Sequence, residues 1–379
     1  MYFVFWMQTK VIKIDSDKVN IAKLKEAAAI VDSGGLVAFP TETVYGIACR
    51  VKNDSLKKLD ELKGRCSGKY YTLHIDQKNE VSKFVPTISL TTQKLIKNAW
   101  PGPLTIVFNL NDDDLQKQQK SLNKEIFDNL YKDKSIGIRC PNNTIASTFL
   151  RLIHNPIVAP SANLTDQNPA IEPEQVLSEF SGKIDLIIDG GLCKHKKSST
   201  VVKIGKNGLE ILRPGVYSEN ELEKLSFIQF LFICTGNTCR SPMAEAIFSK
   251  YLAKKCECKV DDLAQRGYKV ISAGIMGLIG APASREAITA CEAKGIDIKA
   301  HTSRKLTPQI IRDSDFIYAM EQIHCDYTNN LCPDINSKCE LLAENQDIAD
   351  PIGQSQGYFN NCAEQIEKAV KQRINELVI

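Results

Sequence analysis

Long apolar runs are scarce in this chain, and so is any excess of one charge. No stretch of its 379 residues approaches the roughly 20 consecutive apolar residues of a membrane-spanning helix, so no membrane partner is expected. The opening MYFVFW is apolar but too short to span a bilayer, and it lacks the basic flank and cleavage site of a secretory leader. Met7 is an alternative start, and the first convincing strand begins with VIKI at Val11. A net charge of +3 with 25% charged residues does not by itself announce a nucleic-acid binder. The 13 cysteines include no paired C-x2-C spacing, which argues against a zinc site at Cys256 and Cys258 or at Cys325, Cys332 and Cys339. Their scatter reads as free thiols in a reducing, cytoplasmic setting. What remains is a soluble chain long enough for two cores.

The most informative stretch is FLFICTGNTCRSPMAEAIF, from Phe230 to Phe248. Phe230 to Ile233 reads as a buried parallel strand. Cys234 ends it, and Thr235, Gly236, Asn237 and Thr238 make a tight turn. Arg240 and Ser241 then open a helix, with Pro242 suited to its first turn. Strand, loop and helix N-terminus aim successive backbone N–H groups and the helix dipole at one point, an anion cradle. That field lowers the pKa of a cysteine at the loop's base and makes Cys234 a nucleophile. The planar fork of Arg240 suits two oxygens of a tetrahedral anion, and Ser241 can donate to the sulfur as thiolate and as leaving group.

The spacing C-x-G-N-x-C-R-S-P-M-A-E resembles the low-molecular-weight protein-tyrosine-phosphatase family closely. The resemblance implies catalysis by Cys234, Arg240, Ser241 and Asp350, the Asp of the late D-P motif, with Asn237 and Thr238 in the substrate-binding loop. Cys234 would attack phosphorus, and Asp350 would protonate the leaving group and then take a proton from the water that hydrolyses the phosphocysteine. No metal is implied. A reversible Cys234–Cys239 disulfide would protect the nucleophile. Thr238 stands where tyrosine-directed relatives usually carry isoleucine, and Ile352 where they often carry tyrosine. CTGNTCRS resembles protein-arginine phosphatases, which points to phosphoarginine on phosphorylated proteins.

The remaining C-terminal elements alternate. Tyr268 to Ser272 is a strand leading into Ala273-Gly274, and Ala283 to Lys294 a helix ended by Gly295. HTSRKL (His301 to Leu306) and DSDFIYAME (Asp313 to Glu321) give a further helix and a central strand, before an amphipathic final helix. A doubly wound parallel sheet follows.

The N-terminal half reads as an α/β domain with a mixed sheet. Ile21 to Asp32 has helical spacing and stops at Gly34-Gly35. Strands then run into polar blocks: PTETVYGIA from Pro40, Tyr71 to Ile75 with His74, WPGPLTIVF from Trp100, SIGIRCP from Ser135, IVAPSAN from Ile157, SSTVVKI from Ser198 and ILRPG from Ile211. Strand ends of this kind hold small polar ligands in open sheets. Asn111 to Lys134 reads as a surface insertion, and Ser218 to Leu225 as a short acidic connector.

The order of these blocks resembles the YrdC-type threonylcarbamoyl-AMP synthases, with the K-x-R … S-x-N signature at Lys63, Arg65, Ser161 and Asn163. The resemblance implies that L-threonine, bicarbonate and ATP, with Mg2+, give threonylcarbamoyl-AMP and pyrophosphate. The product would serve tRNA or the tRNA threonylcarbamoyl-transfer complex. Thr43, His74 and Arg139 would hold threonine; Lys63, Arg65, Ser135, Ser161, Asn163, Ser199, Thr200 and Arg213 would surround the nucleotide. The sequence from Lys63 to Tyr71 departs from the family's K-G-R-P-x-x-N-P-L, losing both prolines and placing Lys69 beside the phosphates. The expected architecture is a YrdC-like domain over 8–217, a linker over 218–227 and a phosphatase domain over 228–379. The alternative makes the first half a non-catalytic RNA- or nucleotide-binding module attached to a protein-tyrosine phosphatase.

Overall fold

The run Phe230, Leu231, Phe232, Ile233 is inaccessible to solvent, and its residues alternate between two separate cores. Phe230 and Phe232 face one, with Phe248 and Ile366, while Leu231 and Ile233 face the other, with Leu306 and Ile311. A strand covered on both faces has no solvent side to mark with polar residues, which is why it reads as a continuous apolar run. The computed structural model describes residues 8–64, 71–205, 207–276, 279–335 and 338–379. The chain divides into two units at Leu225 and Ser226, with the short segments Ser89–Thr91 and Lys206–Gly208 grouped with the second.

In the first unit the strands are β1 (Lys10–Lys13), β2 (Val37–Phe39), β3 (Gly46–Arg50), β4 (Leu73–His74), β5 (Leu104–Asn109), β6 (Ser135–Arg139), β7 (Ile157–Val158), β8 (Leu186–Asp189), β9 (Thr200–Gly205) and β10 (Gly208–Arg213). They form one sheet in the order β1-β8-β2-β3-β7-β4-β6-β5-β9-β10. Its pairings are mixed: β2 runs parallel to β8 and antiparallel to β3, and β6 parallel to β4 and antiparallel to β5. The helix Ile21–Asp32 begins with the Asn20 side chain accepting from the Lys23 N–H, and buries Leu24, Ala27, Ala28 and Val31. Asn111 to Lys134 is more than a surface insertion. It folds as two helices, Asp112–Ser121 and Lys124–Leu130, each capped by an asparagine, and buries Leu130 and Tyr131 in the core. The stretch read as a connector is largely the helix Glu219–Ser226, anchored by buried Leu222.

In the second unit β11 (Ile228–Cys234), β12 (Tyr268–Gly274), β13 (Phe316–Ala319) and β14 (Cys339–Leu341) make a parallel sheet in the order β12-β11-β13-β14. Strand order reverses beside β11, so the crevice at its carboxyl end is the place where open sheets bind ligands. The helices Arg240–Lys255 and Gln356–Glu376 pack together over the Phe230 face. His301 to Leu306, expected as a helix, is extended. Its backbone bonds outward instead: the Leu306 N–H donates to Gly274 O, and Arg304 O accepts from the Gly274 N–H. The helix lies just beyond, at Pro308–Asp313, opened by the Thr307 side chain.

Candidate active sites

The loop after β11 wraps the Cys234 sulfur. The Asn237 N–H donates to Sγ at 3.2 Å, and Ser241 Oγ lies 2.9 Å from it. Asn237 is fully buried in the left-handed region, at φ 57°, a conformation asparagine tolerates better than most residues. Its Oδ1 accepts from the Arg304 backbone N–H at 2.8 Å, which fixes which end of the amide is which. Nδ2 then donates to Ser241 Oγ (2.9 Å) and to Ser272 Oγ (2.7 Å). With its oxygen already accepting, the Ser241 hydroxyl directs its proton at the sulfur. Ser272 donates onward to Glu245 at 2.5 Å. Gly274 lets the loop come this close: a Cβ there would sit 2.9 Å from Asn237 N and from Thr235 O.

Arg240 opens the helix and is 1% exposed. One arm donates to Glu321 (2.6 Å) and to Ile348 O (2.8 Å); the other pairs with Asp350 and reaches Thr235 Oγ1 at 3.3 Å. Its Nε has no hydrogen-bond partner among the described residues. His324 is wholly buried, with Nδ1 accepting from the Glu321 N–H and Nε2 3.0 Å from Thr235 Oγ1. Burial and the Arg240 charge hold its pKa below the ordinary value.

The first unit has a recess at the strand ends, lined among others by Thr41, His74, Arg139, Ser161, Ser199 and Arg213. One arm of buried Arg139 meets Glu42 at 2.9 Å and Thr43 Oγ1 at 2.6 Å, and its Nε, like that of Arg240, has no partner among the described residues. Burial and the Arg139 charge lower the His74 pKa to about 3. The neutral ring donates from Nδ1 to Thr72 O at 3.1 Å, which leaves Nε2 as an acceptor. Arg213 donates to Ser199 O (2.8 Å) and Ser199 Oγ (3.2 Å), and burial also lowers its pKa.

The profile of the family described as low molecular weight phosphotyrosine protein phosphatase matches residues 229–378. The Escherichia coli (strain K12) low molecular weight protein-tyrosine-phosphatase Etp is 32% identical over 154 residues, 40% of this chain and 95% of that protein. The chain belongs to the low-molecular-weight protein-tyrosine-phosphatase family. Ahead of the phosphatase domain, the Sua5/YciO/YrdC profile, described as telomere recombination, matches residues 29–215. Threonylcarbamoyl-AMP synthase of Pyrococcus abyssi (strain GE5 / Orsay) is 31% identical over 210 residues, 55% of this chain and 58% of that protein. The chain thus spans little more than half the length of that synthase and of its Bacillus subtilis (strain 168) counterpart. A crystal structure of P. abyssi Sua5 complexed with L-threonine matches with a TM-score of 0.51 and 21% identity, over 96% of this chain and 98% of that one. That likeness is one of fold alone. The chain joins a Sua5/YrdC domain to a low-molecular-weight phosphatase domain.

In the phosphatase domain, Cys234, Arg240, Ser241 and Asp350 converge through the contacts above. Thr238 stands on the loop, partly exposed, its Oγ1 3.7 Å from Cys239 Sγ. Asn237 is a correction: its side chain is spent on Ser241, Ser272 and Arg304, so it shapes the loop instead of facing a substrate. Sequence reading missed Glu321 and His324. An acid two residues past the central strand, in YAME, is the signal that could have found Glu321.

In the Sua5/YrdC domain, Thr43, His74, Arg139, Ser161, Ser199 and Arg213 are gathered at or beside the recess. Lys63 departs from expectation. Its buried ammonium donates to Ser161 O (2.6 Å) and Asn163 O (2.7 Å), bracing the S-x-N loop. Asn163 holds that same loop, with Oδ1 accepting from Ser161 and Nδ2 donating to Leu164 O and Gln167 O. Thr200 spends its hydroxyl on the Tyr217 backbone, and Ser135 lies at the other end of β6 from Arg139 with its hydroxyl on Lys132 O. Arg65 and Lys69 lie outside the described residues. Glu42, inside PTETVYG, is the missed member: it holds Arg139 and accepts from the Asn142 N–H.

Proposed function

We propose that the chain is a bifunctional cytoplasmic enzyme, a threonylcarbamoyl-AMP synthase joined to a cysteine-dependent protein phosphatase. The observation that carries the reading is a matched pair. Each unit buries an arginine at its site, Arg139 held by Glu42 and Arg240 by Glu321 and Asp350, and the Nε–H of each has no partner among the described residues. A buried guanidinium N–H without an acceptor is costly, and an anionic ligand supplies one.

In the phosphatase, Cys234 attacks phosphorus as Ser241 and the loop amides hold the sulfur's charge, and Arg240 binds the equatorial oxygens. Asp350, already on Arg240, protonates the leaving group and then accepts a proton from the hydrolytic water. The preferred substrate is phosphoarginine. Thr238 supplies a hydroxyl that accepts from a guanidinium N–H, and the flanking Met276 and Ile352, 70% and 65% exposed, offer no aromatic wall for a phenyl ring.

In the synthase, Arg139 takes the threonine carboxylate, Thr43 and the His74 Nε2 lone pair take its polar groups, and Ser161, Ser199 and Arg213 face the nucleotide. Alignment of the carbamate oxygen with the α-phosphorus, with charge neutralised around it, supplies the rate. Mg2+ enters as a partner of the ATP phosphates. The product passes to tRNA modification.

The test is a pair of assays on the full chain. Pyrophosphate release from ATP should require threonine and bicarbonate together, and ATP binding without turnover would favour the non-catalytic module. Phosphoarginine peptides should be hydrolysed with higher kcat/KM than phosphotyrosine ones, and Thr238→Ile should shift preference toward phosphotyrosine. Better hydrolysis of phosphotyrosine by the unmodified protein would end the phosphoarginine assignment.

A further inference from the structure

Two thiols outside the catalytic loop face each other at bonding range. Cys325 lies on the helix Gln322–Leu331 and Cys339 opens β14, and their sulfurs are 2.9 Å apart. A disulfide bond is about 2.05 Å long, so less than about 1 Å of approach separates this contact from a covalent one. The two positions are 14 residues apart in sequence and belong to elements already packed together. We infer that Cys325 and Cys339 form a reversible disulfide under peroxide, a redox modification site fastening the helix Gln322–Leu331 to the outer strand of the sheet.

The surroundings fit the chemistry. Cys325 is 3% exposed, whereas Cys339 is partly exposed and borders a small recess with Thr328, Asn329, Cys332 and Lys338. The partial exposure of Cys339 puts the pair within reach of an oxidant in solution. The two sulfurs share a hydrogen bond. That bond, against the effect of burial, holds the Cys325 thiol below its ordinary pKa, while the same bond and burial push Cys339 up. The pair is therefore asymmetric: Cys325 attacks and Cys339 resolves.

The reaction balances as follows. The Cys325 thiol gives up its proton, and the thiolate attacks one oxygen of hydrogen peroxide. The O–O bond breaks, and hydroxide leaves and takes up that proton as water. Cys325 is now a sulfenic acid. The Cys339 sulfur attacks the Cys325 sulfur, the S–O bond breaks, and the hydroxyl departs as a second water with the Cys339 proton. One peroxide is reduced and two thiols are oxidised to one disulfide. A thiol reductant reverses the step.

The location gives the bond a consequence. Cys325 directly follows His324, which bonds Thr235 of the catalytic loop, and Glu321 at the head of the same helix holds Arg240. Because the sulfurs are already close, oxidation should fasten this helix without moving those two groups. It should differ in that respect from oxidation within the loop, which consumes the nucleophile.

The experiment uses the full chain carrying Cys234→Ser, so that loop chemistry is silent, exposed to graded hydrogen peroxide and mapped by mass spectrometry without reduction. The expected result is a Cys325–Cys339 linked peptide 2 Da lighter than the two free peptides, lost on treatment with dithiothreitol. It should be absent in Cys325→Ser and in Cys339→Ser and unchanged in Cys332→Ser, and the oxidised protein should melt at a higher temperature. The inference is overturned if both thiols still alkylate after a tenfold excess of peroxide, if Cys325 goes on to sulfinic acid, or if Cys339 pairs with Cys332. Mapping of the chain with both thiols present decides the matter even where a serine variant folds poorly.

Discussion

Ser241 Oγ lies 2.9 Å from Cys234 Sγ, with its oxygen already accepting from Asn237 Nδ2. The hydroxyl proton is thereby committed to the sulfur, where it stabilises negative charge in the thiolate and in the departing cysteine. A hydrogen bond to a charged group contributes about 1.5–3 kcal/mol. Ser241→Ala should therefore slow phosphatase turnover by about 10- to 100-fold in steady-state assays. Turnover within about two-fold of the unmodified protein would assign Ser241 to packing alone.

Asp350 pairs with Arg240 at the mouth of the loop. If it is the proton donor, Asp350→Asn should cost most where the leaving group is poor, by about 10²- to 10⁴-fold, and little where it is good. Steady-state rates across a series of aryl phosphates of graded leaving-group pKa measure this. An equal loss across the series would make Asp350 a structural partner of the arginine.

Lys63 ties together the Ser161 and Asn163 carbonyls from a fully buried position. Lys63→Ala removes this donor from the Asn163 oxygen and leaves the Ser161 oxygen with the Asn163 N–H, at about 1–3 kcal/mol for an unsatisfied buried group. The Sua5/YrdC domain should lose the proposed threonine-dependent ATP turnover and also melt lower, by about 2–4 °C per kcal/mol lost. Loss of turnover with an unshifted melting curve would return Lys63 to a phosphate-facing role.

His74 is neutral in the fold, with a pKa of about 3 set by burial and then by Arg139. Its ring NMR signals should not titrate between pH 5 and 8, and synthase activity should show no step there from this group. The sign for stability follows from the depressed value. As pH falls below about 6.5 the unfolded chain takes up the proton first, so the folded state loses stability from about pH 6.5 down to 3 and is unaffected above. Denaturation at pH 7 and pH 5 should show this loss reduced by up to about 2 kcal/mol in His74→Gln. A ring titrating near 6.5 would contradict the environment described.

Chemistry held within a few residues was legible in the sequence. Cys234, Arg240 and Ser241 occupy one strand–turn–helix unit whose shape follows from apolar run, turn residues and helix start. Ties across long separations were not. Asn237 looks like a loop residue until its Oδ1 meets Arg304, 67 positions away, and Lys63 looks exposed until its ammonium meets Ser161, 98 positions away. His301 to Leu306 carries helix-compatible residues, but its backbone is claimed by Gly274 and its neighbours, and tertiary bonding overrides propensity. Glu42 and Glu321 were passed over because a buried acid makes sense only beside the arginine it anchors.

The central claim is that two complete sites act independently in one chain. Its most direct measurement is made on the full-length Cys234→Ser protein, with phosphatase turnover and threonine- and bicarbonate-dependent pyrophosphate release assayed side by side. The first should vanish, and the second should stay within about two-fold of the unmodified protein, a difference under 0.5 kcal/mol. Loss of both activities in a protein that still folds would contradict it.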